Sequence, residues 1–320
     1  MNAARSFGRV IVQAFALGLL PACNFARMHA RHCVNRLERE GYSSHSFTDS
    51  RGAHHAWARD TGKPKILLIH GYSGSGAQQW SRTAKLLGNN YDAIMPDLLC
   101  HGHSTTDWGH APGGNIEAQV AHLILLLDSL GTTGPMDVVG SSYGGGVAAR
   151  LAELHPHRVK KLVLYDALVS DYSSSLADSI ARSVGAPGML GVFGSIQAQD
   201  LRYGIRLSLF RRPPLPGFIL RQFYEANVKD KRPDQSTLIQ DLLDHEADFA
   251  TKAYDWRVPV YLIWGEKDEL IPNATGRAIM RRNGIPEAHW TVIPRTGHVA
   301  NLERPDAFVK ALRRILADQP

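Results

Sequence analysis

The run Met136-Asp137-Val138-Val139-Gly140-Ser141-Ser142-Tyr143-Gly144-Gly145-Gly146-Val147 (residues 136–147) decides the fold. A short apolar stretch suited to a buried strand leads into Gly-x-Ser-x-Gly, and a helix-like run follows from Val147 to Leu154. A serine placed on so sharp a strand-to-helix turn has its Oγ pushed outward, and glycines two before and two after it avoid side-chain collisions. Ser142 is therefore the candidate nucleophile, and the Tyr143 N–H, at a helix N-terminus, a candidate donor to an oxyanion. A serine that merely caps a helix does not need both glycines.

Outward from this turn the chain alternates strand and helix. Strand candidates are Lys65 to Ile69, Tyr91 to Met95, Met136 to Val139, Val159 to Tyr165, Val258 to Trp264 and His289 to Ile293, most of them apolar throughout, as parallel strands covered on both faces must be. Ile116, Val120, Leu123, Leu127 and Leu130 form one helical stripe stopped by Gly131, and a last helix opens at Pro305 with Phe308, Leu312 and Ile315 inward. Residues 43–60 read as a β-hairpin. The pattern predicts an α/β fold with a mostly parallel central sheet flanked by helices. From Val169 to Arg257 there are helical patterns but no strand, which predicts an inserted helical cap. Its apolar middle includes Met189, Leu190, Val192, Phe193, Leu207, Phe210 and Leu215. Side chains of that size face the core domain or a ligand, so Phe193, Phe210 and Leu215 are candidate substrate-binding residues.

A serine is a weak nucleophile at neutral pH and needs a base. Trp264-Gly265-Glu266-Lys267-Asp268 closes one strand and Thr296-Gly297-His298 closes the next, so Asp268 and His298 both lie beyond carboxyl ends of strands, where α/β sheets place their sites. Among fifteen histidines, His101, His103 and His110 precede the nucleophile in a loop and read as surface or cap-facing. Asp166, after the strand that follows the nucleophile helix, is the rival acid. His70-Gly71-Tyr72-Ser73-Gly74 is a glycine-rich turn whose Tyr72 N–H is the candidate second oxyanion donor.

Together HGYSG, PDLLCHGHS, GSSYGG, VPVYLIWGEKDELIP and TGHVANLERP resemble the α/β-hydrolase superfamily from about residue 60 to 316, and more narrowly bacterial Moraxella-type lipases and esterases and monoacylglycerol lipase relatives. The resemblance implies an esterase or lipase-like serine hydrolase, with Ser142, His298 and Asp268 as a triad working through an acyl-enzyme, acting on a small-molecule acyl ester without a cofactor. The same triad also serves carbon–carbon hydrolases and lactonases, and a non-catalytic ligand-binding module is the alternative from another class. Cys100-His101 departs from the glycine that relatives often carry before the aromatic or histidine in this loop.

Composition is that of a folded, water-facing chain: 44% hydrophobic, 21% charged, net charge +6. The basic excess forms no stripe with interleaved aromatics, which argues against nucleic acid. Three cysteines, Cys23, Cys33 and Cys100, lack zinc-type spacing, and free thiols are expected. Residues 1–42 read as an N-terminal leader or anchor, ahead of a core domain made of 43–168 and 258–320 and a cap of 169–257. Arg5 and Arg9 precede an apolar run, Val10 to Ala22, that ends at Cys23, the build of a signal segment except for Pro21. If it is one, the protein belongs to the cell envelope or is secreted, with peripheral membrane association through this end; otherwise it is cytoplasmic.

Overall fold

The computed structural model describes residues 24–105, 115–194 and 197–318. The leader through Cys23, and with it the expected signal segment, lies outside them, as does His110. Eight strands form one sheet in the order β1-β2-β4-β3-β5-β6-β7-β8. They are β1 (Ser43–Asp49), β2 (Gly52–Ala58), β3 (Lys65–Ile69), β4 (Asp92–Asp97), β5 (Met136–Ser141), β6 (Val159–Tyr165), β7 (Val260–Gly265) and β8 (Trp290–Ile293). β1 and β2 make the hairpin and pair antiparallel with each other, as does β2 with β4; all later neighbours are parallel. β5 and β7 are buried at every residue, which explains their unbroken apolar runs.

Two apolar layers cover the sheet. One face carries α1 (Phe25–Arg39), α2 (Gly76–Leu87) and, at the far end of the chain, a helix over Pro305–Ala317. Here Trp80, wholly buried, meets the rings of Tyr165 and Phe308 at 6.2 and 6.1 Å. On the other face lie α3 (Asn115–Ser129), α4 (Tyr143–Leu154) and the connection between β6 and β7. That connection holds α5 (Ser174–Ser183), α6 (Met189–Phe193), α7 (Leu201–Ser208), α8 (Gly217–Asn227), α9 (Arg232–Asp244) and α10 (Glu246–Phe249), with no strand among its described residues. α1 opens on Asn24, whose Oδ1 accepts the Arg27 N–H at 2.9 Å. It packs against α2 and α8. No described helix is long and apolar enough to cross a membrane, and no disulfide joins Cys33 and Cys100.

The chain leaves β3 for β4 on one side and returns to β5 on the other, so β3 marks the point where strand order reverses. The carboxyl ends of β3 and β5 are neighbours there, at the kind of reversal beside which open α/β sheets place their ligand crevice.

Candidate active site

At the end of β5 the backbone must enter α4 within one residue. Ser142 takes up that turn at φ 53°, ψ −124°. Its N–H donates to the Tyr165 carbonyl at 3.0 Å, and its own carbonyl accepts the N–H groups of Gly145 and Leu168 at 2.8 and 2.9 Å. A methyl group on Gly140 would lie 2.4 Å from the Gly144 oxygen, and one on Gly144 would lie 2.2 Å from the His70 oxygen. The motif glycines are thus demanded by backbone contact. The half-buried serine is reachable. Positive φ at a residue with a Cβ costs ~1–3 kcal/mol. Ser142→Gly is expected to unfold at higher urea than Ser142→Ala, by about 1 kcal/mol, since relief of that strain exceeds the roughly 0.4–1 kcal/mol of added unfolded-state freedom. Equal midpoints would show an unstrained turn.

The turns after β7 and β8 bring two side chains together. Asp268 Oδ2 lies 2.8 Å from His298 Nδ1, with both residues buried. Asp268 Oδ1 accepts the N–H groups of Leu270 and Ile271, each at 2.9 Å. A carboxylate only accepts, so Nδ1 carries the hydrogen and Nε2 keeps its lone pair. The histidine turn is itself clamped. The Gly297 N–H donates to Glu303 Oε2 at 2.7 Å, and the Tyr165 hydroxyl accepts the Asn301 N–H at 3.0 Å. The rival acid, Asp166, has its Oδ1 on the Gly265 N–H, 2.7 Å away, whereas the His298 Nδ1–H donates to Asp268.

The turn after β3 is held by His70. Its Nδ1–H donates to the Gly71 carbonyl at 2.6 Å and its Nε2 accepts the Leu98 N–H at 3.0 Å, the arrangement of a neutral ring. Burial lowers its pKa and keeps it neutral. The Gly71 N–H donates to Gln79 Oε1 at 2.9 Å. A methyl on Gly71 would lie only 3.0 Å from Ser142 Cβ, so the Tyr72 turn abuts the serine. Tyr143 starts α4, and N–H groups of a first turn have no intrahelical carbonyl to reach. The supporting roles of His70, Gln79, Tyr165, Asn301 and Glu303 are not assigned from sequence, where His70, Asn301 and Glu303 stand within recognisable motifs but without a partner to mark what they hold.

Over residues 66–311 the sequence matches the alpha/beta hydrolase family, a span that contains all of these turns. The chain is an α/β-hydrolase. Among its relatives, Lipase 1 of Psychrobacter immobilis is 29% identical over 261 residues, covering 81% of this chain and 79% of that one. A 2-hydroxymuconate semialdehyde hydrolase of Pseudomonas putida is 27% identical, covering 79% and 86%. The solved structure of a candidate lipase from Acinetobacter baumannii AYE superposes with a TM-score of 0.75 at 21% identity, covering 90% of this chain and 95% of that one, a likeness of fold.

In this α/β-hydrolase the three apolar candidates part company. Phe193 packs its ring 5.2 Å from that of Tyr72. Phe210 lies by the histidine turn, where a methyl on Gly297 would come 2.9 Å from the Phe210 nitrogen. Leu215 instead joins Phe25, Phe218, Ile219 and Phe223 where α8 meets α1. Within the apolar middle, Met189, Val192 and Leu207 are buried, whereas Leu190 and Phe210 are exposed. His101, read from sequence as surface or cap-facing, is fully buried beneath the Tyr72 ring at 5.5 Å, with Nδ1 on the Leu99 carbonyl at 2.9 Å. Beside Tyr143 a cavity of about 470 Å³ is lined by apolar Ile116, Leu168 and Leu242 and by charged Glu117, Arg150 and Asp241.

Proposed function

We propose that this α/β-hydrolase cleaves carboxylic esters by acyl transfer to Ser142. His298 Nε2 takes the Oγ proton as Oγ attacks the ester carbonyl, and Asp268 holds the imidazolium that forms. The oxyanion is received by the N–H groups of Tyr72 and Tyr143. Collapse expels the alcohol, protonated by His298, and water then attacks the acyl-enzyme by the same route. The observation that carries this reading is the 2.8 Å His298–Asp268 pair on strand-end turns of the sheet that also carries the serine elbow. The lipase relative is consistent with acyl substrates, and the Pseudomonas putida relative is the reason to keep carbon–carbon cleavage of a dienoic diketone as the second reading. Fluorophosphonate labelling followed by parallel assays on an acyl-length ester panel and on a dienoic diketone separates the two.

The segment of residues 169–257 acts in this proposal as a cap that supplies an apolar wall. Burial of one CH₂ is worth about 0.8 kcal/mol, so kcat/KM is expected to rise about fourfold per added CH₂ until the pocket is full and then fall. Phe193→Ala and Phe210→Ala are expected to flatten that rise more than they change acetyl ester hydrolysis. A profile flat from acetyl to decanoyl in all three proteins would remove the cap from substrate recognition.

A further inference from the structure

Asp166 takes no part in the steps above, yet it is buried at their centre. It stands just beyond β6 with none of its surface exposed, and its carboxyl lies within 4.8 Å of the liganding atoms of Asp268 and His298. Its backbone is fixed at φ 43°, with its N–H donating to the Ile263 carbonyl at 3.0 Å. Oδ1 accepts the Gly265 N–H at 2.7 Å, whereas Oδ2 is buried with no hydrogen-bond partner among the described residues. An ionised oxygen left so would be expensive.

Two carboxylates sharing one dry site do not both ionise readily. The donors decide which one holds the charge. Asp268 collects three N–H groups, from Leu270, Ile271 and His298, and Asp166 only one. Among the described residues the next charged group facing Asp166 is Glu303, itself an acid whose carboxylate is engaged by the N–H groups of Gly297 and Arg211, so it offsets no second negative charge. In agreement, burial and then the neighbouring Asp268 push the Asp166 carboxyl well above the usual carboxylate range.

We infer that Asp166 is a proton-bearing positioning residue, its carboxylic acid anchored through Oδ1 by the Gly265 N–H and its O–H directed at Asp268, where it fixes the carboxylate that orients His298. The inference rests on the triad reading of the site. It gives Asp268 a further donor, which fixes its rotamer and weakens its pull on the imidazolium proton during turnover.

Infrared difference spectroscopy of the full-length protein against its Asp166→Asn variant at neutral pH tests the proton directly. A carboxylic-acid C=O band present in the wild type and missing from the variant is expected; no such band would overturn the inference. The band does not depend on turnover. A wild type inert toward esters but showing it would sink the ester reading and leave the proton assignment standing. In the activity arm, Asp166→Ala is expected to lose up to about 10²-fold in kcat through loosened geometry, with KM little changed. Asparagine keeps an acceptor for the Gly265 N–H and a donor toward Asp268, so Asp166→Asn is expected to restore most of the rate. Should the alanine variant fail to fold, the infrared comparison and the asparagine rate still decide. An asparagine variant with a rate as low as that of Asp268→Asn would show that Asp166 works as an ionised acid, and an alanine variant with the wild-type rate would show that it positions nothing.

Discussion

Ser142→Ala is expected to lower ester kcat by about six orders of magnitude, the scale reached when the nucleophile of an unrelated serine hydrolase is removed. In the proposed mechanism the Oγ of Ser142, held on the elbow at φ 53°, is the atom that bonds to the acyl group. His298→Ala should fall to a similar level, and the double variant no further, because the two residues act as one unit. Both proteins should keep the wild-type circular dichroism spectrum, since the losses are chemical and not structural. Fluorophosphonate should mark the wild type and leave Ser142→Ala unmarked. Labelling of the alanine variant, or substantial turnover by it, would place the nucleophile elsewhere.

Asp268→Asn is expected to cost about 10⁴ in kcat, as the equivalent exchange does in other triads. The asparagine Oδ1 can still accept the N–H groups of Leu270 and Ile271, so the turn should hold. Its NH₂ would then face His298 Nδ1 and force the opposite tautomer, with the hydrogen on Nε2 where the lone pair is needed. Asp166→Asn should cost far less. Steady-state kinetics on one ester substrate compares the two variants, and a larger loss at Asp166 would reassign the acid.

How far the fold could be read from the chain varies along it. Lys65–Ile69 and Val159–Tyr165 coincide with β3 and β6 because a short apolar run, Ile66–Ile69 in one and Leu162–Tyr165 in the other, is enough to mark a buried parallel strand. The strand expected to stop at Met95 runs on through Pro96 and Asp97, which pair with Ala56 and His55 of β2. That extension comes from the hairpin and not from the local sequence. The positions of Ser142, Asp268 and His298 were legible because each follows a recognisable strand. Their supports were not: His70 meets Leu98 across 28 positions and Asn301 meets Gln79 across 222. The five residues of α6 are too few turns to phase, and Phe210 lies beyond the end of α7 where no helical period applies, so Leu190 and Phe210 are not distinguished from their buried neighbours by sequence.

The candidate nucleophile and base are 156 positions apart, with the helical connection between β6 and β7 lying between them. During synthesis at about 5–20 residues per second, His298 follows Ser142 by roughly 8–30 s. Through most of that interval β3 to β6 can form and the elbow can fold, whereas β7 with Asp268 on its turn is made only towards its end, and β8 and His298 last. In the proposed mechanism the nascent chain therefore presents its serine before the base that would activate it is made. On that proposal hydrolytic competence waits until the last strands dock, and a chain broken off before β8 is expected to be a folding intermediate with an idle serine.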